Sequence, residues 1–123
     1  MALSSSRAGR RIEVRLSGHS NDSEVLDCVI RTLEHPGFDD VDRALVDVSE
    51  VSSYDVQPGP RGDLAGHLAG LFYTRRGLRI GIVYRELTIG DLGGFVAEFG
   101  SMPGFAMAAF ASRPEAETWL SED

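Results

Sequence analysis

Apolar and polar residues alternate between residues 11 and 17, where Ile12, Val14 and Leu16 occupy every second position. A period of two is typical of a β-strand that buries the side chains of one face. Because the intervening positions are polar, we expect this strand to lie at an edge of its sheet.

Three further segments predict strands that are buried on both faces. They are short and apolar, and they span residues 43–48, 78–84 and 105–110. Short apolar runs without alternation are typical of strands inside a parallel sheet. Residues 49–60, which contain two prolines, are expected to form a loop after the first of these strands.

The first helix is predicted from a single apolar stripe with helical spacing. The stripe consists of Val25, Leu26, Val29, Ile30 and Leu33. Ser20 or Asn21 can cap its start, and Asp22 and Glu24 stand in the first turn, where the helix dipole favours anions. The His-Pro-Gly sequence of residues 35–37 is expected to end it.

Three more helices are predicted between and after the later strands. They span residues 61–76 and 86–100, and a final segment that starts after Ser112. Ser112 and Glu115 form a capping box at the start of the last helix, with Pro114 between them.

The predicted elements alternate in the order β-α-β-α-β-α-β-α. This order favours a single α/β domain with a four- to five-stranded, mainly parallel sheet and helices packed on it. Residues 1–10 are Ser-rich and show no apolar period, so we expect a flexible N-terminal segment followed by one domain over residues 11–123.

Composition narrows the class of protein further. The 123 residues suffice for one domain, and the net charge of −7 argues against binding to a nucleic-acid backbone. No apolar run approaches the ~18 residues of a membrane span, and no signal peptide is visible. One cysteine is consistent with a reducing cytoplasm, so we expect a cytoplasmic protein.

Four segments carry a resemblance to a known family. They read Leu-Ser-Gly at 16–18, Ala-Leu-Val-Asp-Val-Ser-Glu-Val at 44–51, Leu-Arg-Ile-Gly-Ile-Val at 78–83 and Phe-Ala-Ser-Arg-Pro-Glu-Ala-Glu-Thr-Trp-Leu at 110–120. Over residues 11–120 the chain resembles the SpoIIAA-like proteins, small bacterial domains of STAS-like or lipid-binding SEC14-like architecture. The resemblance implies a regulatory domain that acts through protein–protein contacts or, alternatively, a carrier or sensor of a small apolar ligand such as a lipid.

The resemblance also implies where a phosphoserine would stand. STAS domains of the anti-sigma-factor antagonist type carry it in an Asp-Ser-Ser/Thr-Gly segment after the central strand. Here Asp55 matches the aspartate, but Val56 stands at the serine position and Gln57 at the next one, while Ser52 and Ser53 lie upstream. We therefore expect no phosphoserine switch of this kind.

The predicted helix 61–76 contains a repeated glycine. Gly62, Gly66 and Gly70 follow each other at intervals of four residues, so they share one face of the helix. Each costs about 1 kcal/mol relative to alanine, which suggests a close approach by a neighbour. That neighbour is either an adjacent helix, a second copy of the chain in a homodimer, or an apolar ligand. The core stripe should be formed by Leu64, Leu68, Leu71 and Phe72.

Candidate binding residues are predicted near the carboxyl ends of the strands, where open α/β sheets bind ligands. They are Tyr54, Asp55, His67, Tyr73 and Tyr84. Asp63 stands four residues before His67, so a carboxylate could orient a histidine for base catalysis, or form an ordinary solvated contact. A small hydrolase-like enzyme is the weakest alternative.

No motif indicates a cofactor or a metal. The sequence has no Gly-x-Ser-x-Gly elbow, no phosphate-binding P-loop and no Cys-x-x-Cys, and His19 and His35 are expected in turns without zinc-ligand spacing. Cys28, at the flank of the first apolar stripe and next to Asp27, is predicted to be a buried, unreactive thiol.

Overall fold

The computed structural model describes residues 2–33, 37, 40–75, 77–85 and 106–122. Within these ranges the chain forms five strands and three helices. The strands are β1 (Ala2–Ala8), β2 (Arg11–Asn21), β3 (Arg43–Asp55), β4 (Arg79–Val83) and β5 (Ala106–Phe110). The helices are α1 (Asp22–Arg31), α2 (Pro58–Thr74) and α3 (Arg113–Ser121).

The strands form one five-stranded sheet in the order β1-β2-β3-β4-β5. β2, β3, β4 and β5 run parallel to each other, and β1 pairs with β2 in the antiparallel direction. This arrangement confirms the predicted α/β fold with a mainly parallel sheet. The predicted helix 86–100 and the predicted end of the first helix at residues 35 and 36 lie outside the described residues.

β1 is a correction to the sequence-based expectation of a flexible start. Residues 2–8 pair in continuous register with β2, from Ala2 opposite Ser17 to Ala8 opposite Arg11. The backbone hydrogen bonds of a hairpin form without any apolar period in the side chains, so the Ser-rich sequence gave no sign of it. The prediction that residues 11–17 form an edge strand is therefore wrong, since β1 covers that edge.

β3 is longer than predicted. It continues to Asp55, in parallel pairing with β2 as far as Asn21, so most of the loop expected at 49–60 is a strand. The register shifts twice along this pair, between Arg15 and Ser17 and between Gly18 and His19. The last residues of β3 are mostly exposed, so a pattern of hydrophobic positions does not reveal this part of the strand.

The two faces of the sheet carry two separate cores. α1 and α2 cover the larger core, to which β2 contributes Ile12, Val14 and Leu16 and α2 the predicted stripe of Leu64, Leu68, Leu71 and Phe72. α3 covers the other face, where Leu45, Val83, Ala116 and Leu120 pack together.

A polar residue on the second face of the sheet binds α3. Glu13 of β2 forms a two-pronged pair with Arg113, at 2.5 and 2.7 Å, and this pair lowers the pKa of Glu13. Thus the polar side of the first predicted strand marks a docking site for a helix rather than an edge of the sheet.

Three arginines lie side by side at the amino ends of adjacent strands. Arg11 is in register with Arg43, and Arg43 with Arg79. Like charges in register repel each other, but all three bind the last turns of α3. Arg43 donates to the carbonyl oxygen of Leu120 and Arg79 to that of Trp119, both at 2.9 Å, while Arg11 contacts Glu117. The three positive charges thus lie at the carboxyl end of α3, which is the negative end of the helix dipole.

None of the helices in the described part of the chain is long and apolar enough to cross a membrane.

Candidate functional site

The carboxyl ends of β2 and β3 meet the amino ends of α1 and α2. Ser20 pairs with Tyr54 and Asn21 with Asp55 in the last part of the parallel ladder. Asn21 caps α1, as predicted, because its side-chain oxygen accepts a hydrogen bond from the backbone of Glu24 at 2.8 Å. This is the edge of the sheet at which open α/β folds place their sites.

Asp22 is a fully buried carboxylate at this edge. It accepts hydrogen bonds from the Tyr54 hydroxyl at 2.5 Å, from the Gln57 backbone at 2.7 Å and from the Arg61 guanidinium at 3.1 and 3.2 Å. Burial by itself would raise the pKa of Asp22, but these donors outweigh burial and lower it. Asp22 is therefore ionised and joins β3, α1 and α2.

The pKa of Tyr54, which donates to Asp22, shifts in the opposite direction. Burial and the hydrogen bond to Asp22 raise the pKa of Tyr54, so its phenol stays protonated and can donate. Gln57 adds a second link, because its side-chain oxygen accepts a hydrogen bond from the backbone of Ser23 at 2.9 Å. The start of α2 is thereby fixed against the start of α1.

A second cluster lies beside the first, on exposed side chains. His19 contacts the Ser53 hydroxyl through Nδ1 at 2.6 Å and the Asp55 carboxylate through Nε2 at 3.2 Å. His19 lies in β2, not in the turn that the sequence suggested. The cluster joins neighbouring strands. It forms a line of contacts from the Ser53 hydroxyl through the His19 imidazole to the Asp55 carboxylate.

The glycines of α2 are all exposed, so the prediction of close packing on a neighbouring helix of the same chain is wrong for the part of the chain that is described. Among the described residues, no atom lies within 4 Å of the position that a Cβ would take at Gly62, Gly66 or Gly70. Tyr73, near the end of this face, is 78% exposed. We call the surface of Gly62, Gly66, Gly70 and Tyr73 the glycine face.

The five candidate residues at the strand ends have different surroundings rather than one shared site. Tyr54 packs on the larger core and binds Asp22, whereas Asp55 contacts His19. His67 is half-buried on α2, and Tyr73 is exposed one residue before the end of that helix. Tyr84 follows β4 and packs against the larger core.

Sequence reasoning missed Asp22, Arg61 and His19 as central residues. The sequence identified Asp22 only as an acidic residue in the first turn of a helix, where its charge interacts favourably with the helix dipole. Such a position is ordinarily on the surface. Its burial depends on the chain returning with Tyr54 and Arg61, 32 and 39 residues later. No local pattern carries that information.

A small cavity lies in the larger core beside this cluster. Its volume is about 80 Å³, and its lining is mostly apolar, with Ser20, Asp22, Tyr54, Arg61 and Thr32 as its polar residues. Pockets that hold drug-sized ligands measure about 300–1,000 Å³. The cavity is thus too small for a lipid chain unless the fold opens.

Cys28 lines the same core and is buried. Burial raises the pKa of its thiol to about 11, which agrees with the predicted unreactive thiol. The described residues contain no group of three or more His, Cys, Asp or Glu side chains that could hold a metal ion.

Three solved structures are similar to this chain. An anti-sigma factor antagonist from Mycobacterium paratuberculosis has a TM-score of 0.61 and 13% identity, covering 98% of this chain and 94% of that chain. The anti-sigma factor antagonist SpoIIAA in its unphosphorylated form has a TM-score of 0.60 and 14% identity, covering 99% of this chain and 100% of that chain. An uncharacterized protein with a SpoIIAA-like fold from Shewanella loihica has a TM-score of 0.53 and 15% identity, covering 97% of this chain and 92% of that chain.

These likenesses confirm the SpoIIAA-like fold that the sequence resemblance implied. No family model matches the sequence, and no curated protein matches it.

Proposed function

We propose that this chain is a STAS-like binding domain that acts through protein–protein contacts, with the glycine face of α2 as its contact surface. The observation that carries the proposal is the bare outer side of α2, where Gly62, Gly66 and Gly70 have open space instead of a packed neighbour. Two of the similar structures are anti-sigma factor antagonists, a class named for its action on another protein.

The energetics of α2 support this proposal. Glycine in a helix interior costs about 1 kcal/mol relative to alanine, so the three glycines together cost about 3 kcal/mol. Among the described residues, no contact within the chain makes use of the missing side chains. A partner that packs against the helix backbone would use them, because only glycine permits that approach.

The neighbourhood of the glycine face suits protein contact. Exposed Tyr73 supplies an aromatic side chain of the kind that is enriched at protein interfaces, and Val56, 43% exposed before the start of α2, supplies an apolar one. Tyr54, Asp55 and His67 belong to the same proposal as flanking residues.

The hydrogen bonds of Asp22 have a role in this proposal. They hold Gln57, the residue before α2, and Arg61 in its first turn, so the helix presents its outer side in one orientation. A contact surface that is rigid before binding loses less entropy when the complex forms. The net charge of −7 favours a partner with a positive contact surface.

Substitution on the glycine face tests the proposal. Gly66→Leu should abolish capture of the partner from an extract of the source cells, or dissociate a homodimer measured by light scattering, while thermal stability is retained. Thr118→Leu, at an exposed position of α3, is the matched control and should change neither result. Equal capture and equal mass for wild type and Gly66→Leu would refute the proposal.

A homodimer is the form of the proposal in which the partner is a second copy of the chain. Light scattering over a range of concentrations distinguishes it from a complex with another protein, because only self-association raises the mass of the purified chain. The same proposal includes a cytoplasmic location. It also includes that partner binding is not controlled by a phosphoserine, because position 56 is a valine.

Transport or sensing of a small apolar ligand is the second candidate, and the apolar cavity in the larger core is the observation that favours it. At about 80 Å³ the cavity needs to expand before a fatty acid could enter. Native mass spectrometry with added fatty acid tests this candidate, since binding should add the ligand mass in a ratio of one to one.

A further inference from the structure

We propose that Ser53 is a nucleophile that accepts acyl groups from small activated carboxylic esters, with His19 as its general base and Asp55 as the residue that positions His19. The evidence is the line of three side chains at the carboxyl ends of β2 and β3. Nothing in the contact role of α2 requires this line.

The distances permit proton transfer. The Ser53 hydroxyl lies 2.6 Å from Nδ1 of His19, within the range at which a base can take a proton from a nucleophile. The other ring nitrogen, Nε2, lies 3.2 Å from the Asp55 carboxylate. The negative charge of Asp55 favours the ring proton on Nε2, which leaves the lone pair of Nδ1 for Ser53. These are the roles of a Ser-His-Asp triad with the two ring nitrogens exchanged.

The backbone fixes this arrangement. His19 and Ser53 are partners in the parallel ladder, and Asp55 follows Ser53 by two residues, so its side chain points to the same face of the sheet. The three residues therefore stand on two hydrogen-bonded strands, not on a free loop. Strands hold side chains more accurately than loops, which favours a nucleophile–base pair that persists in solution.

The proposed step balances without a further reactant. The Oγ of Ser53 attacks the carbonyl carbon of the ester and forms a new C–O bond, while its proton passes to Nδ1 of His19. The bond between the carbonyl carbon and the leaving oxygen then breaks, and the leaving group takes the proton from His19. The products are an ester on Ser53 and a free alcohol or phenol.

The site is open to small donors. His19 is 54% and Asp55 69% exposed at the side chain, and Ser53 is exposed as well. An open site binds its donor weakly, so activated esters with good leaving groups are the chemical class that it fits. The first acylation should be faster than hydrolysis of the product, because the serine oxygen is a much poorer leaving group than the phenolate of an activated ester.

The chain offers a clear experiment with p-nitrophenyl acetate as donor. The chain has 12 arginines and no lysine, so no lysine amine competes for the acetyl group. We expect a burst of p-nitrophenolate of about one equivalent, and an acetyl group on Ser53 in the peptide map. Ser53→Ala should lose the burst, whereas Ser52→Ala, at the exposed neighbouring serine, should keep it.

Variants of the two partners separate a chemical role from a structural one. His19→Gln should slow the burst by roughly a hundredfold, within the range known for general-base catalysis. Asp55→Asn should slow it as well, and Asp55→Glu should restore part of the rate, with circular dichroism unchanged in all three. An acetyl group on His19 or Ser52 instead of Ser53, or an equal burst in Ser53→Ala, would overturn the proposal.

Discussion

The hydroxyl of Tyr54 donates a 2.5 Å hydrogen bond to the carboxylate of Asp22, which is fully buried at the start of α1. The bond joins the end of one strand to the helix that follows its neighbour, across 32 residues of sequence. Arg61 completes the arrangement from α2. β3, α1 and α2 are thus joined at one ionised carboxylate.

Removing the hydroxyl from Tyr54 should destabilise the fold. A hydrogen bond to a charged group contributes about 1.5–3 kcal/mol, so Tyr54→Phe should lower the free energy of unfolding by roughly 2 kcal/mol. Urea denaturation followed by circular dichroism measures the change. Tyr73→Phe is the control, because Tyr73 is 78% exposed, and it should leave the midpoint unchanged. Equal midpoints for Tyr54→Phe and wild type would contradict this account of Asp22.

The lowered pKa of Asp22 predicts a loss of stability in acid. The ordinary pKa of this carboxyl is 3.8, and its hydrogen bonds lower that value in the folded state. The stabilisation is complete well above pH 3.8 and is lost as the pH falls through 3.8 towards the folded pKa. Asp22→Asn should therefore be less stable than wild type at neutral pH, and the difference should shrink on acidification.

The difference between the two proteins isolates Asp22 from other carboxylates. Glu13 and Asp40 also have lowered pKa values, and both remain in Asp22→Asn. Their contribution to acid unfolding is common to wild type and variant, so it cancels. Parallel curves of unfolding free energy against pH would count against an ionised Asp22.

Alanine on the glycine face should stabilise the isolated chain. Gly62→Ala, Gly66→Ala and Gly70→Ala each add a methyl group where no described atom lies within 4 Å, and each should raise the unfolding free energy by about 1 kcal/mol. Gly77→Ala is the control of opposite sign, because Gly77 has a φ of +90°, which strains any other residue. Destabilisation by all three helix variants would show that the glycines are packed within the chain.

Docking of α3 should depend on the arginine row. Arg43→Ala removes the donor to the Leu120 carbonyl and leaves the end of the helix without that charge, so it should cost about 1–3 kcal/mol. Chemical denaturation followed by Trp119 fluorescence reports on the same helix. Arg10→Ala is the matched control, since its ion pair with Asp42 is mostly exposed, and it should change stability by less than about 0.5 kcal/mol.

Much of the fold is predictable from local patterns in the sequence. The alternation of Ile12, Val14 and Leu16 predicted a strand with one buried face, and the structure buries all three. Ser112 was predicted as a helix cap and Asn21 as one of two candidates with Ser20, and Asn21 and Ser112 each accept a hydrogen bond from the residue three positions later. These features depend on residues only a few positions apart in the sequence, so the sequence by itself determined them.

Other features were decided only in the tertiary structure. β1 and the extension of β3 to Asp55 exist because a neighbouring strand supplies backbone hydrogen bonds, which form with little dependence on the side chains. The buried Asp22, the line of His19, Ser53 and Asp55, and the open space beside Gly66 each depend on where distant segments come to lie. The sequence determined which residues are apolar, charged or without a side chain. The packing of the sheet and helices decided which charges became buried and which glycines remained exposed, because burial is a property of the whole fold.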